Sequence, residues 1–209
     1  MLRAGLTGSI AVGKSFVSSV LEGLGCHVLD ADRTAREVVL PGSVGLRAIV
    51  DAFGVGVLQP DGTLDRAKLG AIVFSDETKR AHLNSILHPL IIEAQDGWLR
   101  HREAQDPRGV GIVDAALMIE TGSYKRFDKL IVVWCRPELQ LERLMKRDGL
   151  TTAEALRRIA AQMPQDEKKS FADYLIDTSD GFAETREQAG AVYEHLKALA
   201  NVKQSPLKD

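Results

Sequence analysis

The chain has 209 residues, a length that suffices for one well-buried domain but not for two large ones. Apolar residues make up 44 % and charged residues 27 %, as in ordinary globular proteins, and 27 basic against 29 acidic residues give a net charge of −2. This balance, together with only 5 % aromatic residues, argues against a nucleic-acid-binding surface and against attraction to an anionic membrane.

No apolar run approaches the roughly 20 residues that a membrane-spanning helix needs. Lys14 and Glu22 stand where a secretory signal would keep its apolar core. The two cysteines, Cys26 and Cys135, lie in apolar runs and form no CxxC pair, which favours buried free thiols in a reducing compartment. We therefore expect a cytoplasmic protein with no membrane or nucleic-acid partner, and nothing implies an obligate protein partner.

The first thirty residues predict a strand, a glycine-rich turn, a helix and a second strand. Residues 2–7 form a short apolar run, and residues 26–30 form another that ends in an acid. Between them, residues 14–24 have apolar side chains at helical spacing, and Gly25 ends the pattern. This order is a βαβ unit, and such units build parallel sheets.

Three later segments have the pattern of buried strands: residues 110–117, 129–135 and 172–179. From Arg33 to His101 the pattern is mostly helical, with turns at 41–45 and 59–63. Residues 201–209 are predicted to be a flexible tail that follows a single domain over 1–200.

The turn after the first strand matches the phosphate-binding pattern G-x-x-x-x-G-K-[ST]. Gly8 and Gly13 allow backbone N–H groups to wrap a phosphate, since side chains would forbid the required conformations. Lys14 is placed to reach the β and γ phosphates of a nucleotide, and the Ser15 hydroxyl to ligate Mg²⁺. The alternative is a chance glycine turn, but the position between a strand and a helix favours the phosphate loop.

Asp114 closes the apolar run 110–113 of the predicted strand 110–117, so its carboxylate is expected beside the phosphate loop. There it would hold a water of the Mg²⁺ shell. The alternative is an aspartate that caps a helix beginning in the following segment.

Asp30 and Asp32 follow the second strand, at the edge of a parallel sheet where ligands bind. A carboxylate at this place can accept a proton from an attacking hydroxyl group. The alternative gives both acids to a turn and to the cap of the next helix.

Residues 136–162 predict two helices that are rich in arginine. Pro137 suits a first turn, and Thr151 with Glu154 forms a capping box for the second helix. Arg143 and Arg147 lie four residues apart and share a face. The pair resembles a lid whose guanidinium groups neutralise charge on a transferring phosphoryl group, and the alternative is a solvated helix face.

The sequence resembles the dephospho-coenzyme A kinases. The matching stretches cover roughly residues 5–180 and include GLTGSIAVGKS, LDADRTAREVV, LNSILHPLI, VDAALMIETGSYKRFDKLIVV and RPELQLERLMKRDGLT. The phosphate loop is shared by many families, but DAD, LHP and the ETGSYKRFD segment together are much more specific.

The resemblance implies an α/β, phosphate-loop NTPase-type fold of three layers with a five-stranded parallel sheet. It implies a core at about 1–32, 108–136 and 170–200, a helical substrate-binding region at about 33–107 and a lid at about 138–165. It also implies transfer of the γ-phosphoryl group of ATP to the ribose 3′-hydroxyl of dephospho-coenzyme A, the last step of coenzyme A synthesis.

The same resemblance implies the roles of individual residues. The implied catalytic residues are Asp32, which acts as the base, and Lys14, Arg143 and Arg147. ATP is bound by the loop and by a segment that packs on adenine: Gly8, Ala11, Val12, Gly13, Lys14, Ser15, Phe16, Asp177 and Gly181. The acceptor is bound by Asp32, His88 and Glu120, and Mg²⁺ by Ser15 and Asp114. For His88, a satisfied histidine at a helix break imposed by Pro89 is the alternative.

The chain departs from the usual pattern of this family at a few positions. Ser9, Ala11 and Val12 stand where the loop usually has an extra glycine and a small residue, and Phe16 replaces the common threonine. Ala116 stands where proline is usual. Ala11 and Val12 narrow the conformations open to the loop.

Two other hypotheses remain open at the level of the sequence. One is a kinase for another small nucleoside or nucleotide. The other is a nucleotide-switched binding protein of the GTPase type, which needs an N-K-x-D segment and a glutamine after the metal-binding acid. The chain has no N-K-x-D segment. Asp114 is followed by Ala-Ala-Leu-Met, which contains no glutamine.

Overall fold

The computed structural model of the chain describes residues 1–203, in which strands alternate with helices. The strands are β1 (Leu2–Gly8), β2 (His27–Asp30), β3 (Val110–Asp114), β4 (Lys129–Trp134) and β5 (Tyr174–Asp177). The α-helices are α1 (Lys14–Gly23), α2 (Ala31–Glu37), α3 (Val44–Phe53), α4 (Arg66–Phe74), α5 (Glu77–Gln105), α6 (Pro137–Asp148), α7 (Thr152–Ala160), α8 (Gln165–Lys169) and α9 (Phe182–Lys203).

The five strands form one sheet in the order β2-β3-β1-β4-β5. β1 pairs in parallel with β3 and with β4, and β4 pairs in parallel with β5. All five residues of β3 are buried, as are the four central residues of β4, which is the reason that these strands read as continuous apolar runs rather than as alternating ones. The predicted five-stranded parallel sheet is confirmed.

The main core lies where α1 and α9 pack on β1. Leu6 of β1, Leu21 of α1 and Leu196 of α9 have no exposed surface and belong to one apolar cluster. Cys26 and Cys135 are buried free thiols in this cluster, as predicted. Burial raises the pKa of the Cys26 thiol to about 12, so this group has little thiolate character at neutral pH.

The predicted strand over 110–117 is three residues too long. β3 ends at Asp114, and residues 116–122 form turns. The Ala115 N–H still donates to the Leu6 carbonyl of β1 at 3.0 Å, which closes the ladder. Strand propensity in Ala-Ala-Leu is weak, and the chain turns once this last bond is made.

The chain divides into two compact units. Among the described residues, one consists of 1–29 and 101–203, and the other of Asp30–Arg100. The second unit has its own apolar cluster, with Val39, Ile49, Val57 and Leu69 at its centre. The mostly helical pattern predicted for 33–101 is confirmed by α2 to α5, while the functions assigned to these regions stay predictions.

The predicted flexible tail over 201–209 begins too early, because residues 201–203 still belong to α9. α9 continues through Lys203, whose ammonium group donates to both oxygens of Asp128 at 2.7 and 2.8 Å. This ion pair gives the last turn a partner that the local sequence does not reveal. The rest of the predicted tail, 204–209, lies outside the described residues. Among residues 1–203, no helix has both the length and the apolar character needed to cross a bilayer.

Candidate functional site

The parallel strands bring distant parts of the chain to one edge of the sheet. β1 ends at Gly8, which is in register with Val133, while Asp114 at the end of β3 is in register with Leu6. β1 is the central strand, with β3 and β2 on one side of it and β4 and β5 on the other. Ligands of open α/β sheets bind at such a reversal of strand order, beyond the carboxyl ends of the strands.

Gly8 and Gly13 are both required in the loop after β1, for different reasons. A Cβ atom on Gly8 would lie 2.5 Å from the Val133 carbonyl oxygen, a distance that no side chain tolerates. Gly13 has a φ of 88°, and its Cβ would lie 3.2 Å from the Thr178 Oγ1. Both fixed glycines of the motif thus have a steric cause in the fold.

The loop leads directly into α1, for which Gly13 is the N-cap. Glycine supplies no side-chain hydrogen bond to this terminus. The N–H groups of a first helical turn and the positive end of the helix dipole favour an anion. The sequence prediction of a loop that opens a helix is therefore confirmed, while the phosphate itself stays a proposal.

Lys14 and Asp114 are brought together at this edge. The Lys14 Nζ donates to the Asp114 Oδ1, and the aspartate is 8 % exposed. No helix begins directly after Asp114, because residues 116–122 form turns. The alternative that Asp114 caps a helix is therefore wrong, and its carboxylate is held beside the loop.

Ser15 is exposed in the first turn of α1. Its hydroxyl and the Asp114 carboxylate are oxygen ligands of the kind that Mg²⁺ prefers, and this ion is commonly held by few protein groups together with phosphates and water. Among residues 1–203, no cluster of three His, Cys, Asp or Glu side chains could hold a metal by itself. The donor set therefore fits an ion that is bound jointly with a nucleotide.

Asp30, rather than Asp32, is the N-cap of α2. The Asp30 Oδ1 accepts from the Asp32 N–H at 2.8 Å and from the Arg33 N–H at 3.3 Å. Asp32 is exposed in the first turn, and its carboxylate makes no bond within residues 1–203. The alternative that Asp32 serves as the cap is wrong, since Asp30 fills that position.

The segment after β5, predicted to pack on adenine, is tied to the phosphate loop. Thr178 donates from its Oγ1 to the Val12 carbonyl at 2.7 Å. Asp177 accepts from the Ser179 N–H at 2.9 Å, and Gly181 has a φ of 106°. These bonds fix a tight loop that ends where α9 begins.

The two arginines of the predicted lid have different partners. Arg143 donates from Nη1 to the Thr178 Oγ1 and from Nη2 to the Thr178 carbonyl, both at 2.8 Å. Arg147 instead pairs with Asp148 at 2.7 Å and remains 55 % exposed on its side chain. Arg158 of α7 pairs with the same aspartate. The hydrogen bond from Arg147, together with the charges of both arginines, lowers the pKa of the Asp148 carboxyl.

The helices of this region and their capping box are confirmed. α6 begins at Pro137, and α7 begins after Thr151, which exchanges hydrogen bonds with Glu154. Gly149 ends α6 with a φ of 66°. The two helices also contact each other, so the predicted helical pair is present, whereas closure over phosphates stays a proposal.

Glu120 is paired with a buried lysine. Lys168 of α8 is fully buried, and its Nζ lies 2.8 Å from the Glu120 Oε1 and donates to the Ala116 carbonyl at 2.9 Å. The same carbonyl accepts from the Thr7 hydroxyl at 3.1 Å. A buried ammonium group needs an opposite charge nearby, and Glu120 supplies it for Lys168. Glu120 therefore has a structural role in addition to its predicted contact with the acceptor.

Lys168→Met is expected to lower the free energy of unfolding by about 1–3 kcal/mol, because it removes donors from two oxygens near β3. Thermal and urea unfolding of the variant would measure this. Lys146→Met, at an exposed position of α6, is the matched control and should be nearly neutral. Equal stability of Lys168→Met and the parent would contradict a structural role for this ion pair.

His88 lies within α5, which runs unbroken through Pro89 from Glu77 to Gln105. The histidine is exposed. The alternative of a satisfied histidine at a helix break is therefore wrong, since proline removes one hydrogen bond but the remaining turns of a long helix hold it.

Phe16 packs against Phe182, an aromatic residue that no sequence pattern indicates as its neighbour. Its ring centroid lies 4.7 Å from that of Phe182, which follows Gly181 and is 72 % exposed. The Arg186 guanidinium lies 5.9 Å from the Phe16 ring centroid. In the sequence, Phe16 follows the predicted phosphate loop and Phe182 follows the segment predicted to pack on adenine, but their pairing depends on how α1 and α9 pack.

Comparison with known proteins gives the chain's relatives. A family model described as dephospho-CoA kinase matches residues 2–184. A dephospho-CoA kinase of Geobacter metallireducens is 46 % identical over 194 residues, which are 93 % of this chain and 96 % of that protein. A dephospho-CoA kinase of Geobacillus kaustophilus is 45 % identical over 200 residues, which are 95 % of this chain and 98 % of that protein.

The fold is also found in solved structures. A dephospho-CoA kinase from Campylobacter jejuni superposes with a TM-score of 0.63 at 26 % identity, covering 93 % of this chain and 96 % of that one. The match extends along nearly the whole of both chains, as the sequence matches do.

Proposed function

The chain belongs to the dephospho-CoA kinase family, and from that premise we propose that its site transfers the γ-phosphoryl group of ATP to the ribose 3′-hydroxyl of dephospho-coenzyme A. The products are coenzyme A and ADP, and the reaction is the final step of coenzyme A biosynthesis. The observation that carries the proposal is the phosphate loop after the central strand, with Lys14 and Asp114 paired beside it. A cytoplasmic location stays a prediction.

ATP binding is assigned to the edge of the sheet. The loop from Gly8 to Ser15 offers backbone N–H groups and the N-terminus of α1 to the phosphates. Lys14 neutralises the β and γ phosphates, and its position next to Asp114 supports that role. The segment from Asp177 to Gly181 is assigned to adenine, which is supported by its hydrogen bond to the loop.

Magnesium is assigned to Ser15 and Asp114 together with the nucleotide phosphates. When bound, the ion neutralises charge on the phosphate oxygens. Ser15 would offer its hydroxyl at the start of α1, and the carboxylate of Asp114 would hold a water of the ion's shell. Asp114 therefore serves both Lys14 and the ion, and its buried position at the end of β3 keeps it oriented.

Asp32 is assigned the role of general base, which accepts the proton of the acceptor's hydroxyl group. Its neighbour Asp30 is committed to the cap of α2, whereas the Asp32 carboxylate is exposed and makes no bond within the described residues. A carboxylate that has no structural partner can accept a proton. His88, exposed on α5, and Glu120 are assigned to binding of the acceptor.

The acceptor preference tests this function directly. The protein is incubated with Mg·ATP and, separately, with dephospho-coenzyme A, adenosine, AMP and pantothenate, and ADP release is followed. We expect the highest kcat/KM with dephospho-coenzyme A. Faster turnover of AMP or adenosine would identify a different nucleotide kinase, and absence of any acceptor-dependent release would favour a nucleotide-switched binding protein.

Arg147→Ala is expected to lower kcat by about 10- to 100-fold and to change KM for ATP less, because a lid arginine acts on charge that develops during transfer. Arg143→Ala is expected to raise KM for ATP, since its two hydrogen bonds hold Thr178 of the adenine loop. Steady-state kinetics of both variants measure this.

The double variant is the control for shared function. If each single substitution is silent and only the double substitution lowers kcat, the two arginines share one role. If kcat is unchanged even in the double variant, the assignment of this helical pair as a catalytic lid is wrong.

A further inference from the structure

One residue of the phosphate loop has a strained backbone. Ala11 has a φ of 60°, and it is the one non-glycine residue with a positive φ in the described part of the chain. The left-handed conformation brings the alanine Cβ close to the following carbonyl oxygen, a clash that glycine does not have. Such a conformation persists only where its surroundings fix it.

The peptide groups before Ala11 are held by two glutamine side chains. The Ile10 N–H donates to the Gln162 Oε1 at 2.8 Å. The Ile10 carbonyl accepts from the Gln140 Nε2, also at 2.8 Å. These bonds fix two successive peptide planes, and the second of them is the plane from which the φ rotation of Ala11 starts.

The chain after Ala11 is held as well. The Val12 side chain is fully buried in the main core. Its carbonyl accepts from Thr178, and its N–H donates to the Ser9 carbonyl at 3.4 Å. With fixed peptide planes on one side and a buried anchor on the other, Ala11 has little freedom to relax.

The orientation of Gln140 is itself determined by its partners. It is 2 % exposed, and its Oε1 accepts from the Gln165 Nε2 at 2.8 Å. The Gln165 Oε1 accepts in turn from the Cys135 N–H at 3.1 Å. A flipped Gln140 amide would place donor against donor and acceptor against acceptor, so its amide can face Ile10 in one way only.

We infer that Gln140 and Gln162 are positioning residues that hold the phosphate loop in its nucleotide-binding conformation, and that they offset the strain of alanine at position 11. Gln140 belongs to α6, and Gln162 follows α7. The helical pair assigned as the lid therefore carries residues that fix the loop backbone. The inference rests on the proposed function of that loop.

ATP affinity measured without acceptor tests this inference. Gln140→Met and Gln162→Met keep the side-chain length and remove the hydrogen bonds, and each is made in the parent and in an Ala11→Gly background. Calorimetry with Mg·ATP gives Kd, and thermal unfolding confirms that each variant is folded. Gln59→Met, at an exposed position of the second unit, is the matched control.

In the parent background, we expect each variant to weaken ATP binding by about three- to tenfold, the effect of one hydrogen bond. In the Ala11→Gly background, the same changes should cost less than about twofold, because glycine adopts the conformation without strain. Gln59→Met should bind ATP like the parent. If Gln140→Met is too unstable to purify, Gln162→Met decides the test, since that side chain is only half-buried.

ATP binding within about twofold of the parent for a folded Gln162→Met would overturn the inference. An equal loss in both backgrounds would also overturn it, because the glutamines would then act other than through Ala11. Failure of the proposed function looks different: the parent would bind ATP and show no turnover of dephospho-coenzyme A, while the affinities of the variants would still follow the expected pattern.

Discussion

Asp32→Asn is expected to lower kcat by about 10²–10⁴ while ATP binding stays nearly intact, the usual loss when a positioned general base is removed. A ribose hydroxyl is a weak nucleophile at neutral pH. A carboxylate can orient it and take its proton as the new P–O bond forms, whereas asparagine keeps the size and polarity of the side chain but cannot accept that proton.

The structure makes this test cleaner than the sequence alone allows. Because Asp30 caps α2, Asp32→Asn removes no cap, and fold stability should hardly change. Asp30→Asn is the matched control, since asparagine is as good an N-cap as aspartate. We expect it to retain turnover close to that of the parent.

ATP affinity, melting temperature and single-turnover transfer are measured on the same preparations. A folded Asp32→Asn that binds ATP and transfers the phosphoryl group within about threefold of the parent rate would remove Asp32 from the mechanism, because that loss is smaller than the loss of a general base. An equal loss in Asp30→Asn would place the effect in the backbone of α2 rather than in one carboxylate.

Lys14→Met is expected to damage both ATP binding and turnover, with kcat/KM lowered by about 10²–10³. The ammonium group interacts with the β and γ phosphates in the ground state and in the transition state alike. The structure adds a second reason, because the substitution leaves the buried Asp114 carboxylate without its ion-pair partner.

Lys79→Met is a matched control, since Lys79 forms a surface pair with Asp76 and is 55 % exposed on its side chain. Calorimetry with Mg·ATP and steady-state kinetics would compare the two variants. Unchanged affinity and turnover in Lys14→Met would mean that the loop from Gly8 to Ser15 is not the phosphate site.

Local patterns predicted the elements of the site well. The loop over Gly8 to Ser15, the capping box at Thr151 and the strand before Asp114 depend on residues within a few positions of one another. The structure contains all three, although β3 ends three residues before the predicted end. The steric demand on Gly8 then follows from the neighbouring strand β4, and the demand on Gly13 follows from Thr178 in the loop after β5.

Features that depend on tertiary contacts could not be predicted. Gln162 reaches Ile10 across 152 positions of sequence, and Lys168 reaches Ala116 across 52. Nothing in the spacing of glutamines or lysines indicates these partners. The sequence also left open which of Asp30 and Asp32 caps α2, because either acid can do so, and only the backbone geometry shows that Asp30 is the cap.

The identity of the phosphorylated atom tests the central claim most directly. The protein is incubated with Mg·ATP and dephospho-coenzyme A, and the products are analysed by mass spectrometry and ³¹P NMR, with Lys14→Met as the inactive control. We expect one coenzyme A for each ADP, with the new phosphate on the ribose 3′-oxygen and almost no product from the variant. ADP formed without coenzyme A, or a phosphate at another position, would contradict it.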